Sequence, residues 1–172
     1  MARNRQKGSS FVIIYRDVRW LPFPNQIELF LTDIEAPREL TRTAFLLPIH
    51  DDGSVTLAVN QRRGVEIPGG HVEDGETLIE AAIREAIEEA ACEVEQAIPI
   101  GYFRMTSHGE VDEDWPYPHP VSYQQFYTGR VTSVLDFTPD DECDTPTRVT
   151  EMPEHKKELR FLMQAAHKAL ER

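Results

Sequence analysis

Residues 69–92 constrain the fold of this chain more than any other stretch. The stretch opens with two glycines, and Thr77 and Glu80 then form a capping-box pattern, in which a hydroxyl and a carboxylate satisfy two backbone donors. Apolar residues follow at helical spacing and define the face that we expect in the core: Ile79, Ile83, Ala86, Ile87 and Ala90. The stretch therefore predicts a glycine turn followed by an amphipathic helix.

The opposite face of this predicted helix concentrates negative charge. Glu85, Glu88 and Glu89 stand at positions i, i+3 and i+4, where like charges repel one another. They also lie near the helix C-terminus, where the helix dipole disfavours anions. A bound divalent cation removes both penalties, whereas the alternative is a solvated acidic face. Local rules leave these two interpretations open.

The spacing of the charged residues resembles the signature of the Nudix hydrolases. Gly70 is followed after five residues by Glu76, and after seven more by the run Arg84-Glu85-Ala86-Ile87-Glu88-Glu89-Ala90-Ala91-Cys92. The preceding run Glu66-Ile67-Pro68-Gly69-Gly70 is similar to the lead-in of the family. Two positions depart from the pattern: Ala86 replaces a larger aliphatic residue, and Ala91 replaces a glycine. Neither is a ligand position, but Ala91 puts the exit from the helix in question.

The resemblance implies a set of site residues. Glu85 and Glu89 are expected as metal ligands, Glu88 binds a further metal or a bound water, and the carbonyl of Gly69 is an additional ligand. The expected ion is Mg²⁺, with Mn²⁺ as the alternative, because carboxylates and carbonyls are hard oxygen ligands. The expected catalytic residues are Glu85 and Glu88 with the orienting pair Arg84 and Glu76. The general base is Glu85, Glu88 or a carboxylate of a later loop: Glu110, Asp112, Glu113 or Asp114.

Two further groups are candidates for substrate binding. Arg62 and Arg63 precede a glycine and are suited to hold a phosphate or a carboxylate, the alternative being solvated surface charges. Trp115 and Tyr117 belong to a proline-rich loop over residues 107–120 and are suited to stack on a base, the alternative being a packed turn. The Trp-Pro-Tyr-Pro run is only faintly similar to a loop of the NADH-cleaving Nudix subgroup.

Composition limits the classes of partner and the compartment. The net charge of −12 repels phosphate backbones, so we expect no nucleic-acid groove. Cys92 and Cys143 are too few for a disulfide framework, and two reduced thiols suit a cytoplasmic protein. No apolar run is long enough for a signal peptide or a membrane span, so we expect no membrane partner.

The order of predicted elements suggests one domain. We expect an α/β fold, the Nudix α/β/α sandwich with a mixed sheet between helices, over residues 40–172. Residues 1–39 are expected to add a hairpin to the same domain or an arm that pairs with a second subunit in a homodimer. Strands are predicted over residues 11–15, 27–31, 44–49, 55–60, 98–103 and 121–131, with a turn region over 139–147. Pro153 is expected to open a last helix with a buried stripe of Leu159, Leu162, Met163, Ala166 and Leu170.

The resemblance implies an enzyme that hydrolyses phosphoanhydride bonds. The expected reaction is metal-dependent hydrolysis of a nucleoside diphosphate linked to another moiety, a small-molecule nucleotide of unknown identity. The alternative is a catalytically silent nucleotide-binding module on the same fold. An isomerase acting on isoprenyl diphosphate has less support, because its expected cysteine site is not recognisable.

Overall fold

The structure is a computed structural model that describes residues 10–171. Within these residues nine strands form one sheet, and two helices and a short 3₁₀ turn at Arg38–Leu40 complete the fold. The strands are β1 (Ser10–Arg16), β2 (Asn25–Leu31), β3 (Thr41–Ile49), β4 (Val55–Asn60), β5 (Gly64–Glu66), β6 (Gly69–His71), β7 (Cys92–Ser107), β8 (Val121–Val134) and β9 (Cys143–Val149). The helices are α1 (Leu78–Ala90) and α2 (Lys157–Leu170). No helix in this part of the chain is long and apolar enough to cross a membrane.

The sheet is mixed and lies between the two helices. Its order is β1-β2-β7-β8-β3-β4-β5, with β6 also paired to β3 and β9 to β4. Strands β3 and β8 pair in parallel, whereas β7 and β8 pair antiparallel. Ala44 and Leu46 of β3 pack with α1, and Leu47 and Ile49 pack with α2. Because successive strand residues face opposite sides, the helices cover opposite faces, and the predicted α/β/α sandwich is confirmed.

The N-terminal strands belong to the same sheet. Strands β1 and β2 pair antiparallel, and β2 pairs with β7 from Asn25 opposite Ser107 to Leu31 opposite Gly101. The Tyr15 hydroxyl donates a hydrogen bond of 2.7 Å to the Glu158 carboxylate of α2. Residues 10–31 thus extend the sheet by two strands. The domain boundary at residue 39 and the pairing with a second subunit stay predictions.

Helix α1 begins as the sequence predicts, and its buried face overlaps the predicted one at Ala86 and Ala90 but is shifted towards Ala81 and Ala82. Thr77 and Glu80 form the capping box. The buried residues are mainly alanines, namely Ala81, Ala82, Ala86 and Ala90 with Leu78. The expectation that Ile87 is in the core is wrong, since its side chain is 37 % exposed, and Ile79 and Ile83 are only half-buried. Small side chains let the helix lie close to the sheet, and the larger isoleucines flank that contact.

Two other boundaries differ from expectation. The predicted turn region over residues 139–147 is wrong in its second half, because β9 begins at Cys143 and pairs with β4. The polar composition of this segment does not indicate a strand, because β9 is stabilised by backbone pairing with β4. Pro153 does not open the last helix: its carbonyl accepts a hydrogen bond from the Lys156 amide in a turn, and α2 begins at Lys157.

Candidate active site

Arg84 organises the acidic face of helix α1. Its guanidinium donates to both oxygens of Glu76, at 2.9 and 3.1 Å, to Glu85 at 2.8 Å and to Glu88 at 3.0 Å. It also donates to the carbonyl of His71 on β6, at 3.0 Å. The hydrogen bonds from Arg84 lower the pKa of Glu76 to about 2. One arginine therefore holds three carboxylates and fixes the helix against β6.

Strand β6 brings backbone atoms next to the remaining carboxylate. The Gly69 amide donates a hydrogen bond of 2.9 Å to Glu89. A Cβ atom added to Gly70 would lie 2.3 Å from Oε1 of Glu85, so only glycine allows this approach without displacing the carboxylate. The double glycine thus lets the backbone contact the two half-buried glutamates of α1.

The surroundings of Glu85 and Glu89 disfavour the charged forms of these two side chains. Burial raises the pKa of Glu85, and the nearby Arg84 opposes that shift. Burial likewise raises the pKa of Glu89, opposed by the Gly69 amide, and the charge of Glu142 raises both pKa values further. Burial, more than repulsion between the carboxylates, therefore disfavours the charged forms of Glu85 and Glu89.

The oxygen atoms offered by these residues are of the kind that binds a hard divalent cation, although in this structure the side chains are not grouped around one position. In residues 10–171 no three His, Cys, Asp or Glu side chains form a group that could hold a metal ion. Arg84 and the Gly69 amide hold carboxylate oxygens that a cation would otherwise attract. The available donors are carboxylates beside a glycine backbone, the hard oxygen ligands that Mg²⁺ prefers.

A cavity of about 820 Å³ extends from these glutamates across the sheet towards α2. Glu85, Glu89 and Arg84 line it together with the glycines of β6. Its other walls are rich in aromatic side chains, namely Trp20, Phe45, Phe103, Tyr117 and Phe126. Carboxylates and aromatic rings around one cavity suit a ligand that joins a phosphate group to an apolar or planar group.

Only one of the two predicted arginines reaches the cavity. Arg63 lines it, and its guanidinium lies 2.8 Å from Glu66 and 3.9 Å from Glu142. Arg62 is exposed and outside the lining, although the amides of both arginines donate to the Asn60 side chain. The turn at Asn60 therefore presents the two neighbours to different surroundings.

The two predicted aromatic residues also separate. Tyr117 lines the cavity and stacks on His71, with ring centroids 5.7 Å apart. Trp115 lies outside the lining and packs edge-on against Tyr117, with ring centroids 5.5 Å apart. Trp115 also packs against the buried cluster around Met105. Of the two, only Tyr117 is placed to contact a ligand.

The structure also brings in a carboxylate that no sequence motif indicates. The four loop candidates for the general base, Glu110, Asp112, Glu113 and Asp114, are exposed and outside the cavity lining. Glu142, on the connection before β9, lines the cavity instead. The only sequence signal was the acidic run at residues 140–142, whose position near Glu85 and Glu89 depends on pairing between β9 and β4.

Comparison with known proteins decides the family. The profile of the NUDIX domain matches residues 39–166. The chain belongs to the Nudix hydrolase family. The sequence-based prediction of this family is thereby confirmed, and the family generally uses divalent metals.

Solved structures agree with this fold. A variant of the pyrophosphohydrolase BsRppH from Bacillus subtilis is 20 % identical, with a TM-score of 0.65 over 93 % of this chain and 96 % of that chain. A MutT NUDIX hydrolase from Burkholderia pseudomallei is 17 % identical, with a TM-score of 0.51 over 70 % of this chain and 95 % of that chain. A search of curated proteins found no match. At these identities the likeness concerns the fold alone.

Proposed function

We propose that this Nudix protein catalyses metal-dependent hydrolysis of a diphosphate bond in a nucleoside diphosphate linked to another moiety. The observation that supports the proposal is the Arg84 network, which holds Glu76, Glu85 and Glu88, with Arg84 and Glu85 bordering a large cavity beside the glycines of β6. A silent binding module would not need this concentration of half-buried negative charge.

The carboxylates of Glu85, Glu88 and Glu89 and the carbonyl oxygen of Gly69 would hold the ion, Mg²⁺ or Mn²⁺. When bound, such an ion neutralises phosphate oxygens and lowers the pKa of water. Burial has already raised the pKa values of Glu85 and Glu89, so the cluster gains electrostatically from a cation.

The chain's own residues position the reaction. Arg84 anchors Glu76 and fixes the orientation of Glu85 and Glu88 by charge-assisted hydrogen bonds. Glu85 or Glu88 accepts the proton of the attacking water, and Glu142 is the candidate from a later loop because it lines the same cavity.

The substrate is a small-molecule nucleotide. Arg63 is the candidate for contacts to its phosphates, and Tyr117 is the candidate for stacking against its planar group. The charge of −12 disfavours a nucleic-acid strand. Cys92 and Cys143 are both free and buried, which supports a cytoplasmic location.

The test is hydrolysis of a panel of nucleoside triphosphates, nucleotide sugars and dinucleoside polyphosphates, compared by kcat/KM. We expect turnover with Mg²⁺ or Mn²⁺, release of a nucleotide product, and no turnover in excess chelator. Activity that persists in chelator contradicts the metal mechanism. Tight nucleotide binding in calorimetry without turnover of any panel member supports the silent module instead.

A further inference from the structure

One hydroxyl group in the cavity lacks a partner. Among the side chains of residues 10–171, Oγ1 of Thr43 is the one buried oxygen or nitrogen atom without a hydrogen-bond partner. Thr43 is 4 % exposed and lines the cavity. Leaving a buried hydroxyl without a partner costs free energy, so such a group calls for an explanation.

Neighbouring threonines show that the fold normally satisfies this group. On the same strand, the Thr41 hydroxyl donates to the carbonyl of Pro37 at 2.7 Å. On the adjacent strand β8, the Thr128 hydroxyl donates to the carbonyl of Leu47 at 2.9 Å. Both residues are fully buried. Thr43 differs from them because it borders the cavity.

Strand register places Thr43 in a row that crosses the cavity floor. Thr43 pairs with His71 on one side and with Gln124 on the other, and Gln124 pairs with Phe103. All four residues line the cavity. With about 4.8 Å between neighbouring strands, Thr43 and Gln124 lie about one and two strand spacings from β6. A group attached to a phosphate held at β6 would extend over them.

Aromatic rings flank this polar pair. Phe45 and Phe126 form the next pair on the same face of these two strands, and their rings stack with centroids 5.2 Å apart. Phe103 meets Phe126 edge-on, also at 5.2 Å. Tyr117, stacked on His71, lines the same cavity. A hydroxyl and an amide among aromatic rings match a planar heteroaromatic group with a hydrogen-bonding edge.

We propose that Thr43 and Gln124 form a specificity subsite that hydrogen-bonds the polar edge of the substrate's nucleobase. The proposal rests on the proposed nucleotide hydrolysis and adds the residues that select the base. The Thr43 hydroxyl donates one hydrogen bond or accepts others, and the Gln124 amide both donates and accepts. Sites built to hydrogen-bond a substrate discriminate strongly, because a wrong ligand leaves their buried polar groups unpaired.

The test replaces Thr43 by Val, which keeps the shape and removes the hydroxyl. The kcat/KM values for ATP, GTP, CTP and UTP give a discrimination ratio between the best and the poorest base. We expect this ratio to fall about 3- to 10-fold, as one neutral hydrogen bond implies. Calorimetry should show the same loss of affinity for the best base. The melting temperature of the free Thr43→Val protein should stay equal or rise, since no hydrogen bond is lost.

Thr128→Val is the matched control, because it removes a satisfied hydroxyl from the same sheet outside the cavity. It should lower the melting temperature and leave the discrimination ratio unchanged. An unchanged ratio and affinity in Thr43→Val overturn the subsite, as does a fall in melting temperature as large as that of Thr128→Val. A parent that hydrolyses no nucleotide contradicts the proposed function, and the calorimetric comparison of the four nucleotides then decides the subsite by itself.

Discussion

At the residue scale, Ala91 adopts a conformation that its side chain disfavours. The chain leaves α1 at Ala91 with φ 50° and ψ 35°, the left-handed geometry for which the family uses glycine. The alanine at this position left open whether the helix ends here or runs on, and the backbone conformation shows that it ends. The helix does not run on through residue 91, because β7 begins at Cys92.

Replacing Ala91 with Gly should stabilise the protein slightly. An alanine in the left-handed conformation destabilises the folded protein by roughly 1–2 kcal/mol, which glycine would relieve. Loss of the buried methyl group would destabilise it by about 0.8 kcal/mol. We expect a gain of a few tenths to about 1 kcal/mol in the free energy of unfolding, measured by urea denaturation. Ala90→Gly is the control: it is equally buried but helical, so the helix-propensity cost and the lost methyl group add, and it should destabilise by about 2 kcal/mol. A loss of stability in both variants would mean that methyl packing dominates at residue 91.

Glu76 should make stability depend on acid pH. Arg84 lowers the pKa of Glu76 from its ordinary value of 4.5 to about 2, so the folded protein favours the charged form. The stabilisation is complete above pH 4.5 and is lost as the pH falls from 4.5 towards 2. We expect the melting-temperature difference between the parent and Glu76→Gln to be largest near neutral pH and to shrink below pH 4.5. Glu113→Gln, in an exposed loop, is the control, because it removes one carboxylate without touching the Arg84 network. A difference that is constant across the range would contradict the role of the ion pair.

At the scale of elements, helix α1 packs one face against the sheet and presents its glutamates on another face. Its alanines pack on β3, while its glutamates approach β6 and the cavity. Glu89 is half-buried, lies near a helix C-terminus and has a pKa raised by burial. These effects destabilise the metal-free protein, and a bound cation would offset them. A substitution of Glu89 should therefore preserve or raise stability while it lowers activity.

Glu89→Gln should show this separation. The amide oxygen can still accept the Gly69 hydrogen bond, and removal of one charge relieves repulsion and desolvation, so the metal-free variant should melt at or above the parental temperature. Added Mg²⁺ should stabilise the variant less than the parent, because a ligand stabilises only the state that binds it. Turnover should fall by orders of magnitude, measured in steady-state hydrolysis beside thermal melting.

Glu93→Gln, at an exposed position on β7, controls for the loss of one negative charge and should leave all three quantities unchanged. Near-parental turnover in Glu89→Gln would remove this residue from the site. Unfolding of the metal-free variant would instead assign the carboxylate a structural role, with its hydrogen bond to Gly69 as the essential contact.

At the scale of the whole molecule, the N-terminal hairpin shares the main core. Leu29 of β2 is fully buried in one cluster with Leu47, Phe126 and Leu162. Trp20, on the connection between β1 and β2, lines the cavity. The hairpin therefore contributes to both the stability of the sheet and the wall of the site.

Leu29→Ala should destabilise the entire protein by about 2–5 kcal/mol, as expected for a large-to-small change in a packed core. Leu57→Ala, equally buried on β4, should have a similar effect, whereas Phe11→Ala at a 53 % exposed position should have little. Urea unfolding followed by tryptophan fluorescence and by far-UV circular dichroism should give one coincident transition. A separate early transition in Leu29→Ala would show that the hairpin unfolds independently.

The sequence alone determined those features that depend on residues within about one helical turn of each other. The capping box at Thr77 and Glu80 and the clustering of Glu85, Glu88 and Glu89 follow from spacings of three and four residues. The predicted turn at Gly69 and Gly70 is wrong, because both glycines belong to strand β6 and pair with β3. These short-range patterns were enough for the family and the sandwich fold, which are confirmed.

Only the tertiary structure decided which side chains share the cavity. Strand pairing brings Glu142, and not the loop over residues 110–114, to the cavity beside Glu85 and Glu89, and of the two arginines only Arg63 borders that cavity. The Thr43 hydroxyl is exceptional only because its two neighbouring strands leave it without a partner at the cavity floor. Local spacing cannot encode such relations, since they depend on the register between strands that are distant in the chain.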